Sequence, residues 1–207
     1  MTRTLKPPKE IPKSLIYEEL DGQLVFYKGY REVLSGKKTM EEIMGSSGIQ
    51  IFIHSLIFGF LTKILPKIYF IGGNEAGLHL AKNSNLSNDI LVFEKSKFLK
   101  KALTPNYTDF PPLLVIEVDI KGEAADFGND LNYYTKKANR LLDFGVLQLV
   151  WVFTDIKKIL IAEPNKRWIF TDWDDEFFLL GEYPFCLAHL IEEEDLDWRT
   201  LGEAPTE

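Results

Sequence analysis

Two segments place carboxylates where apolar strands leave little room for water: Asn88-Asp89-Ile90-Leu91-Val92-Phe93 and Leu113-Leu114-Val115-Ile116-Glu117-Val118-Asp119-Ile120-Lys121. Each is a β-branched run of the kind that forms a buried strand. An unpartnered carboxylate in such a place is costly, so Asp89, Glu117 and Asp119 are expected to share a cation, a lysine, or both. Side chains alternate along a strand, which puts Glu117, Asp119 and Lys121 on one wall. If Asp89 opens a neighbouring strand, it meets Glu117 across the sheet, and the pair can hold a hard, oxygen-seeking cation such as Mg²⁺ or Mn²⁺. Such a cation polarises a phosphate and acidifies water, and a lysine beside it offsets charge in the transition state. This is a set of groups for cleaving phosphodiesters. Asp119 either joins the metal shell or is neutralised by Lys121. The plain alternative is that the carboxylates pair with lysines or arginines at the end of an exposed strand, and residue types alone do not separate the two.

The elements that must position these residues are legible in outline. Ser14 to Gly29 forms a hairpin around Asp21-Gly22, a pair suited to positive φ. Thr39 with Glu42 gives a capping box for a short helix ending near Gly45. A second helix runs from about Gly48 to Leu65; its Ile49–Leu61 part is apolar nearly all round and is expected to be covered by a second subunit. Lys67 to Ile71 and Glu75 to Ala81 are expected to form a hairpin turning at Gly72-Gly73-Asn74, a plain turn and not a phosphate loop, since no Gly-Lys-Ser/Thr follows. A strand from Asp89 to Glu94 leads into a lysine-rich helical turn, Lys95 to Lys101.

From about Gly128 to Phe144, Leu131, Tyr134, Ala138, Leu141 and Leu142 mark a helix closed by Gly145. It joins the Leu113 strand to the Leu147–Phe153 strand as a βαβ unit, so those strands are expected to be parallel or close neighbours. Strands at Lys158–Glu163, Arg167–Thr171 and Glu176–Leu180 form a meander, and a short helix, Phe185 to Ile191, closes the domain. The acidic stretch Glu192 to Asp197 is read as a solvated face. His54 and His79 are read as hydrogen-bonded structural residues, and Trp151 and Phe153 as core.

The chain has 207 residues, of which 45% are hydrophobic and 13% aromatic, enough for one full core. The organisation expected is an extended arm over residues 1–13, a single domain over 14–200 and a short tail over 201–207. A net charge of −7 argues against a protein that coats nucleic acid without specificity, but a local basic groove remains compatible with it. Cys186 is the single cysteine, so no internal disulfide forms, and the three histidines show no zinc spacing. A cytoplasmic, soluble protein without a membrane segment is expected, since the longest apolar stretch, Ile49 to Leu61, is short of the ~20 residues a membrane helix needs.

The order Asp89, then Glu117-x-Asp119 in an apolar strand, then a helix and Gly145-Val-Leu-Gln-Leu-Val-Trp-Val152 resembles the PD-(D/E)xK nuclease superfamily. More narrowly it is similar to the Uma-type restriction-endonuclease-like family, formerly a domain of unknown function. The resemblance spans about Leu15 to Ile191 and rests most on Tyr17-Glu18 with Asp21-Gly22, Leu86 to Ile90, Pro112 to Val118, and Lys137 to Val152. It implies an α/β (α+β) fold with a restriction-endonuclease-like central mixed sheet flanked by helices and an antiparallel C-terminal meander. It implies Asp89 and Glu117 as metal ligands, the Val118 carbonyl completing the shell, and Glu18 helping to orient metal or water. Two positions depart from the pattern. Asn88 stands where the signature has proline, and Asp119 stands where the lysine belongs.

Two lysines can supply the missing charge. Lys121 lies one pleat beyond the usual place. Lys137 lies on the following helix, where this family often carries a lysine, and is the preferred candidate; the competing reading is a snorkelling surface lysine. Lys137→Ala is accordingly expected to cut any DNA cleavage far more than it lowers stability. The function expected is Mg²⁺- or Mn²⁺-dependent hydrolysis of DNA by a homodimer. The alternative is a catalytically weak or inactive nuclease fold that serves as a dimeric binding or assembly module.

Overall fold

A computed structural model describes residues 11–119, 122–127 and 129–203. Most of the expected N-terminal arm, the last residues of the tail and Lys121 lie outside them. The chain opens with the hairpin β1 (Ile16–Leu20) and β2 (Gln23–Phe26), and both turn residues, Asp21 and Gly22, have positive φ. This is the backbone a two-residue hairpin turn requires. After α1 (Tyr30–Leu34), the capping box forms as expected: the Thr39 amide donates to Glu42 at 2.6 Å and the Glu42 amide to the Thr39 hydroxyl at 3.4 Å, ahead of α2 (Glu41–Met44). A second box, from Ser47 and Gln50, starts α3 (Gly48–Ile64).

Helix α3 buries Ile53, Ile57 and Leu61 at i, i+4 spacing against the sheet. Its most exposed stripe is Ile51, Ser55, Gly59 and Thr62, of which Ile51 alone is a large apolar residue. The helix is thus less apolar on its outer side than the sequence suggests, because Phe52, Leu56, Phe58 and Phe60 fold down onto the flanks of the core. Among the described residues, no helix is long and apolar enough to cross a membrane.

The expected turn at Gly72-Gly73-Asn74 is not a turn. Residues 69–81 form one long strand, β3 (Tyr69–Ala81), paired antiparallel with β4 (Ser84–Glu94), and the hairpin turns at Lys82-Asn83 instead. The glycines lie beside a β-bulge: the register slips between Gly73 and Ala76, and Glu75 takes a positive φ of 54°. Gly73 itself sits beneath α3, where an added Cβ would lie 3.3 Å from Phe58 and 3.4 Å from His54.

Helix α4 (Lys95–Lys101) follows β4, and β5 (Leu114–Val118) then enters the sheet. From there α5 (Asp130–Phe144) crosses to β6 (Gln148–Phe153), which pairs parallel with β5 as the βαβ pattern requires. β7 (Lys158–Ala162) and β8 (Ile169–Asp172) extend the sheet antiparallel. β9 (Phe177–Leu179) leaves the meander to pair with β10 (Tyr183–Phe185) in a separate ribbon, and α6 (Leu187–Glu192) closes the domain.

The main sheet has eight strands in the order β2-β1-β4-β5-β6-β7-β8, with β3 on β4. Its two faces carry separate cores, one under α3 and α6 and one under α5.

Gly145 ends α5 with φ 114° and abuts Pro111, whose Cγ would lie 3.0 Å from an added Cβ. Gly145→Ala is therefore expected to cost at least about 1–2 kcal/mol, the usual penalty for a side chain in left-handed backbone. Urea unfolding of the two proteins measures it.

Candidate active site

The site grows from a fork in the sheet. One edge of β4 is paired along its length with β3. The other edge is shared: β1 pairs with it at Asn85, and β5 pairs with it from Ile90 to Val92. Between those two pairings, side chains take the place of a strand. The Ser87 amide donates to Glu18 Oε2 at 3.2 Å, and the Ser87 carbonyl accepts from Lys137 Nζ at 2.8 Å. At the next outward-facing position, Asp89 Oδ2 accepts the Val118 amide at 2.8 Å. Every backbone group so exposed in a buried sheet needs a partner, and this need draws Glu18, Asp89 and Lys137 to one place.

Glu117 faces the same layer as Val115 and lies opposite Trp151 of β6. Lys137 reaches it from α5, with Nζ 3.1 Å from Glu117 Oε1 and 3.0 Å from Glu18 Oε2. The three side chains are 1% (Lys137), 2% (Glu117) and 0% (Glu18) exposed. The lysine is therefore not a snorkelling surface residue. The helix that carries it is rotated from the stripe inferred from sequence: Tyr133, Lys137, Ala138 and Leu141 are buried, whereas Leu131 is 69% exposed. Tyr133 escaped the sequence reading altogether, although it precedes Lys137 by one helical turn and so shares its face. Its hydroxyl donates to Glu18 Oε1 at 2.6 Å.

The strand containing Glu117 ends sooner than expected. Asp119 turns the chain with φ 59°, so it does not share a wall with Glu117. Its carboxylate instead accepts the Thr154 amide at 2.7 Å and the Thr154 hydroxyl at 2.6 Å, and its carbonyl accepts Trp151 Nε1 at 2.8 Å. Asp119 thus fastens β5 to the end of β6. His54 approaches the Asp89 carbonyl at 3.4 Å and His79 contacts Asn85 Oδ1 at 2.6 Å, both structural contacts. Asn88, at the position of the signature proline, is buried and donates to the Ala76 carbonyl at 3.4 Å, tying β4 to the bulge of β3.

Among the described residues, Asp89, Glu117 and Glu18 gather around the ammonium of Lys137, more carboxylates than cations. Burial pushes the Glu117 carboxyl up to about 8, with Asp89 and Glu18 adding to the rise and Lys137 opposing it. Burial alone would lower the pKa of Lys137, but Glu117 and Glu18 outweigh it and the net shift is upward, so the lysine stays charged. Glu117 Oε1, though close to Lys137, lacks a hydrogen bond of good geometry. A layer rich in carboxylates, with an unsatisfied oxygen, suits a divalent cation. Among the described residues no three His, Cys, Asp or Glu side chains converge as a ready-made cage. Two carboxylates and a carbonyl, with water and substrate phosphate completing the shell, are what Mg²⁺ ordinarily takes. Asp89 and Val118 also line an open cleft of about 330 Å³, together with Gln50, His54 and Glu75.

The raised Glu117 carboxyl has a pH signature. Its folded value of about 8 lies above its ordinary value of 4.5, so in metal-free protein its contribution to stability is complete below about 4.5 and is lost as pH rises through 8. Glu117→Gln is expected to remove this slope, leaving the variant more stable relative to the parent at pH 8 than at pH 5. Thermal melts in chelator at the two pH values check the sign.

No family model matches the chain, and no curated protein matches it. Among solved structures, it is similar to a crystal structure from Anabaena variabilis ATCC 29413 described as a candidate nuclease belonging to DUF820. The TM-score is 0.60 at 14% sequence identity, over 84% of this chain and 89% of that one. Agreement over most of both chains shows a shared fold, a large mixed central sheet flanked by helices, as the restriction-endonuclease-like architecture expected from the sequence requires.

Proposed function

We propose that the protein is a metal-dependent nuclease that hydrolyses DNA phosphodiester bonds through a PD-(D/E)xK-like site of the Uma type. Asp89, Glu117 and the Val118 carbonyl would hold Mg²⁺ or Mn²⁺. The observation that supports this most is the convergence of Asp89, Glu117 and a buried, charged Lys137 at the fork of β4, with more carboxylate than ammonium among the described residues. A bound divalent ion supplies Lewis-acid polarisation of the phosphate and acidification of water.

The chain's own groups do the rest. Lys137, fixed beside Glu117, offsets negative charge that grows on the phosphate during attack. Asp89 borders both the buried layer and the open cleft, and so links the site to substrate. Lys95, Lys97, Lys100 and Lys101 of α4 give an otherwise acidic chain a local basic surface for a phosphate backbone. Lys121 is the second candidate for the catalytic charge.

The test is incubation of plasmid and single-stranded DNA with parent, Glu117→Gln, Lys137→Ala and Lys121→Ala proteins in Mg²⁺ or Mn²⁺. Cleavage by the parent and by Lys121→Ala, with loss in the other two, is the expected pattern. The reverse behaviour of the two lysine variants would move the charge to Lys121 and leave the nuclease reading standing.

A second reading draws on the sealing of Glu117 and Lys137 from solvent: a nuclease fold retained as a weakly active or inactive dimeric binding module. It takes over if the parent cleaves neither form of DNA with either ion and Asp89→Ala binds metal as the parent does.

A further inference from the structure

Both oxygens of Glu18 are held by protein donors. Oε1 accepts the Tyr133 hydroxyl at 2.6 Å. Oε2 accepts the Ser87 amide at 3.2 Å and the Lys137 ammonium at 3.0 Å. A ligand of a hard cation must direct a lone pair at the ion, and this carboxylate, its side chain 0% exposed, already accepts from three protein donors.

The lysine shows the other half of the arrangement. The Lys137 ammonium donates to two acceptors, Glu18 Oε2 and the Ser87 carbonyl at 2.8 Å, and stands 3.1 Å from Glu117 Oε1 as an ion pair. These two acceptors lie on β1 and β4, behind the site, and hold the ammonium beside Glu117. Tyr133 and Lys137 stand one turn apart on α5 and hold the same carboxylate, so a single side chain from β1 clips the helix to the sheet at the height of the site.

We propose that Glu18 is a positioning residue, steadied by Tyr133, which holds the Lys137 ammonium against Glu117, and that it is not a ligand of the metal. Its effect on rate rests on the nuclease reading; its effect on the lysine does not. The role resembles that of the outer partners of metal ligands, whose loss typically costs about 10–100-fold in affinity or activity. Here the loss is expected in turnover alone.

Glu18→Gln, which keeps the shape and removes the charge, is the main variant. Three measurements apply to the full chain. The first is the side-chain ¹⁵N spectrum of protein labelled at lysine. In the parent the Lys137 ammonium, shielded from solvent and held by Glu18 and the Ser87 carbonyl, gives a slowly exchanging signal that Lys137→Met lacks; in Glu18→Gln this signal shifts or is lost. The second is Mn²⁺ titration, in which Glu18→Gln binds within about twofold of the parent, whereas Asp89→Asn falls beyond the about 100-fold expected of an outer partner. The third is DNA cleavage, in which kcat falls about 10–100-fold while KM for DNA holds.

Tyr133→Phe keeps both charges and is the second variant should Glu18→Gln not fold; it should disturb the same signal, with a smaller loss of kcat. Loss of Mn²⁺ affinity in Glu18→Gln as deep as in Asp89→Asn, or an unchanged lysine signal, would overturn the proposal. If the parent neither binds Mn²⁺ nor cleaves DNA, the nuclease reading fails, and the lysine signal still decides the role of Glu18.

Discussion

Lys137→Ala is expected to destabilise the metal-free protein by about 3–5 kcal/mol at neutral pH, the range seen when one partner of a buried ion pair is removed. The lysine is fully buried, and its loss leaves Glu18 and Glu117 facing each other without a cation. The Ser87 carbonyl also loses its donor. The sequence alone suggested the opposite ranking, in which a lysine at the border of the helix face would move stability by about 0.5 kcal/mol, as surface changes do. Burial reverses that expectation.

The sign of the pH dependence follows. Lys137 lowers the Glu117 carboxyl, so its removal raises an already elevated group further above its ordinary 4.5. The stability defect of the variant should therefore be larger at pH 8, where Glu117 is partly ionised in the folded parent and less so in the folded variant, than at pH 5, where it is protonated in both folded proteins. Urea unfolding at both pH values measures this. A defect below about 0.5 kcal/mol at pH 8 would mean that the lysine is not buried as described.

Asp89→Asn should behave differently, with metal binding and DNA cleavage falling by more than about 100-fold, beyond the about 10–100-fold that follows loss of an outer partner. Folding should change far less, because asparagine can still accept the Val118 amide through its side-chain carbonyl. Calorimetric titration with Mn²⁺, alongside thermal melting, separates the two effects. A variant that melts like the parent and no longer binds Mn²⁺ is the expected pair of results.

The fold was legible where local chemistry decides it. The Asp21-Gly22 hairpin, both capping boxes, the Gly145 helix end and the parallel β5–β6 pair all rest on short-range rules, although the Ser47–Gln50 box went unremarked in the sequence. The errors arose where tertiary context overrode them. Gly72-Gly73 reads as a turn, yet β4 is long enough to pair straight past it, and the glycines serve the bulge and the approach of α3. Asp119 reads as the next pleat after Glu117, but a positive φ, which no single sequence displays, turns it away to Thr154.

The pairing of Asp89 with Glu117 could be anticipated from apolar runs interrupted by charge, and Lys137 from the position at which the resembled family often carries a lysine. The share of Tyr133 and Ser87 in the site could not, since it depends on β1 and β5 parting along β4 and leaving backbone groups for side chains to satisfy. The helical spacing of Tyr133 and Lys137 was the one available signal, and the exposed Leu131 drew the inferred stripe away from it.

The central claim is that the fork of β4 is a divalent metal site, and a crystal structure with Mn²⁺ tests it most directly through the anomalous signal of the ion. The account predicts one peak within bonding distance of the Asp89 and Glu117 carboxylates and the Val118 carbonyl, with Glu18 still bonded to Tyr133 and Lys137. Crystals soaked at saturating Mn²⁺ that show no peak there, with Glu117 still turned to Lys137 and Asp89 still bonded to the Val118 amide, would contradict it.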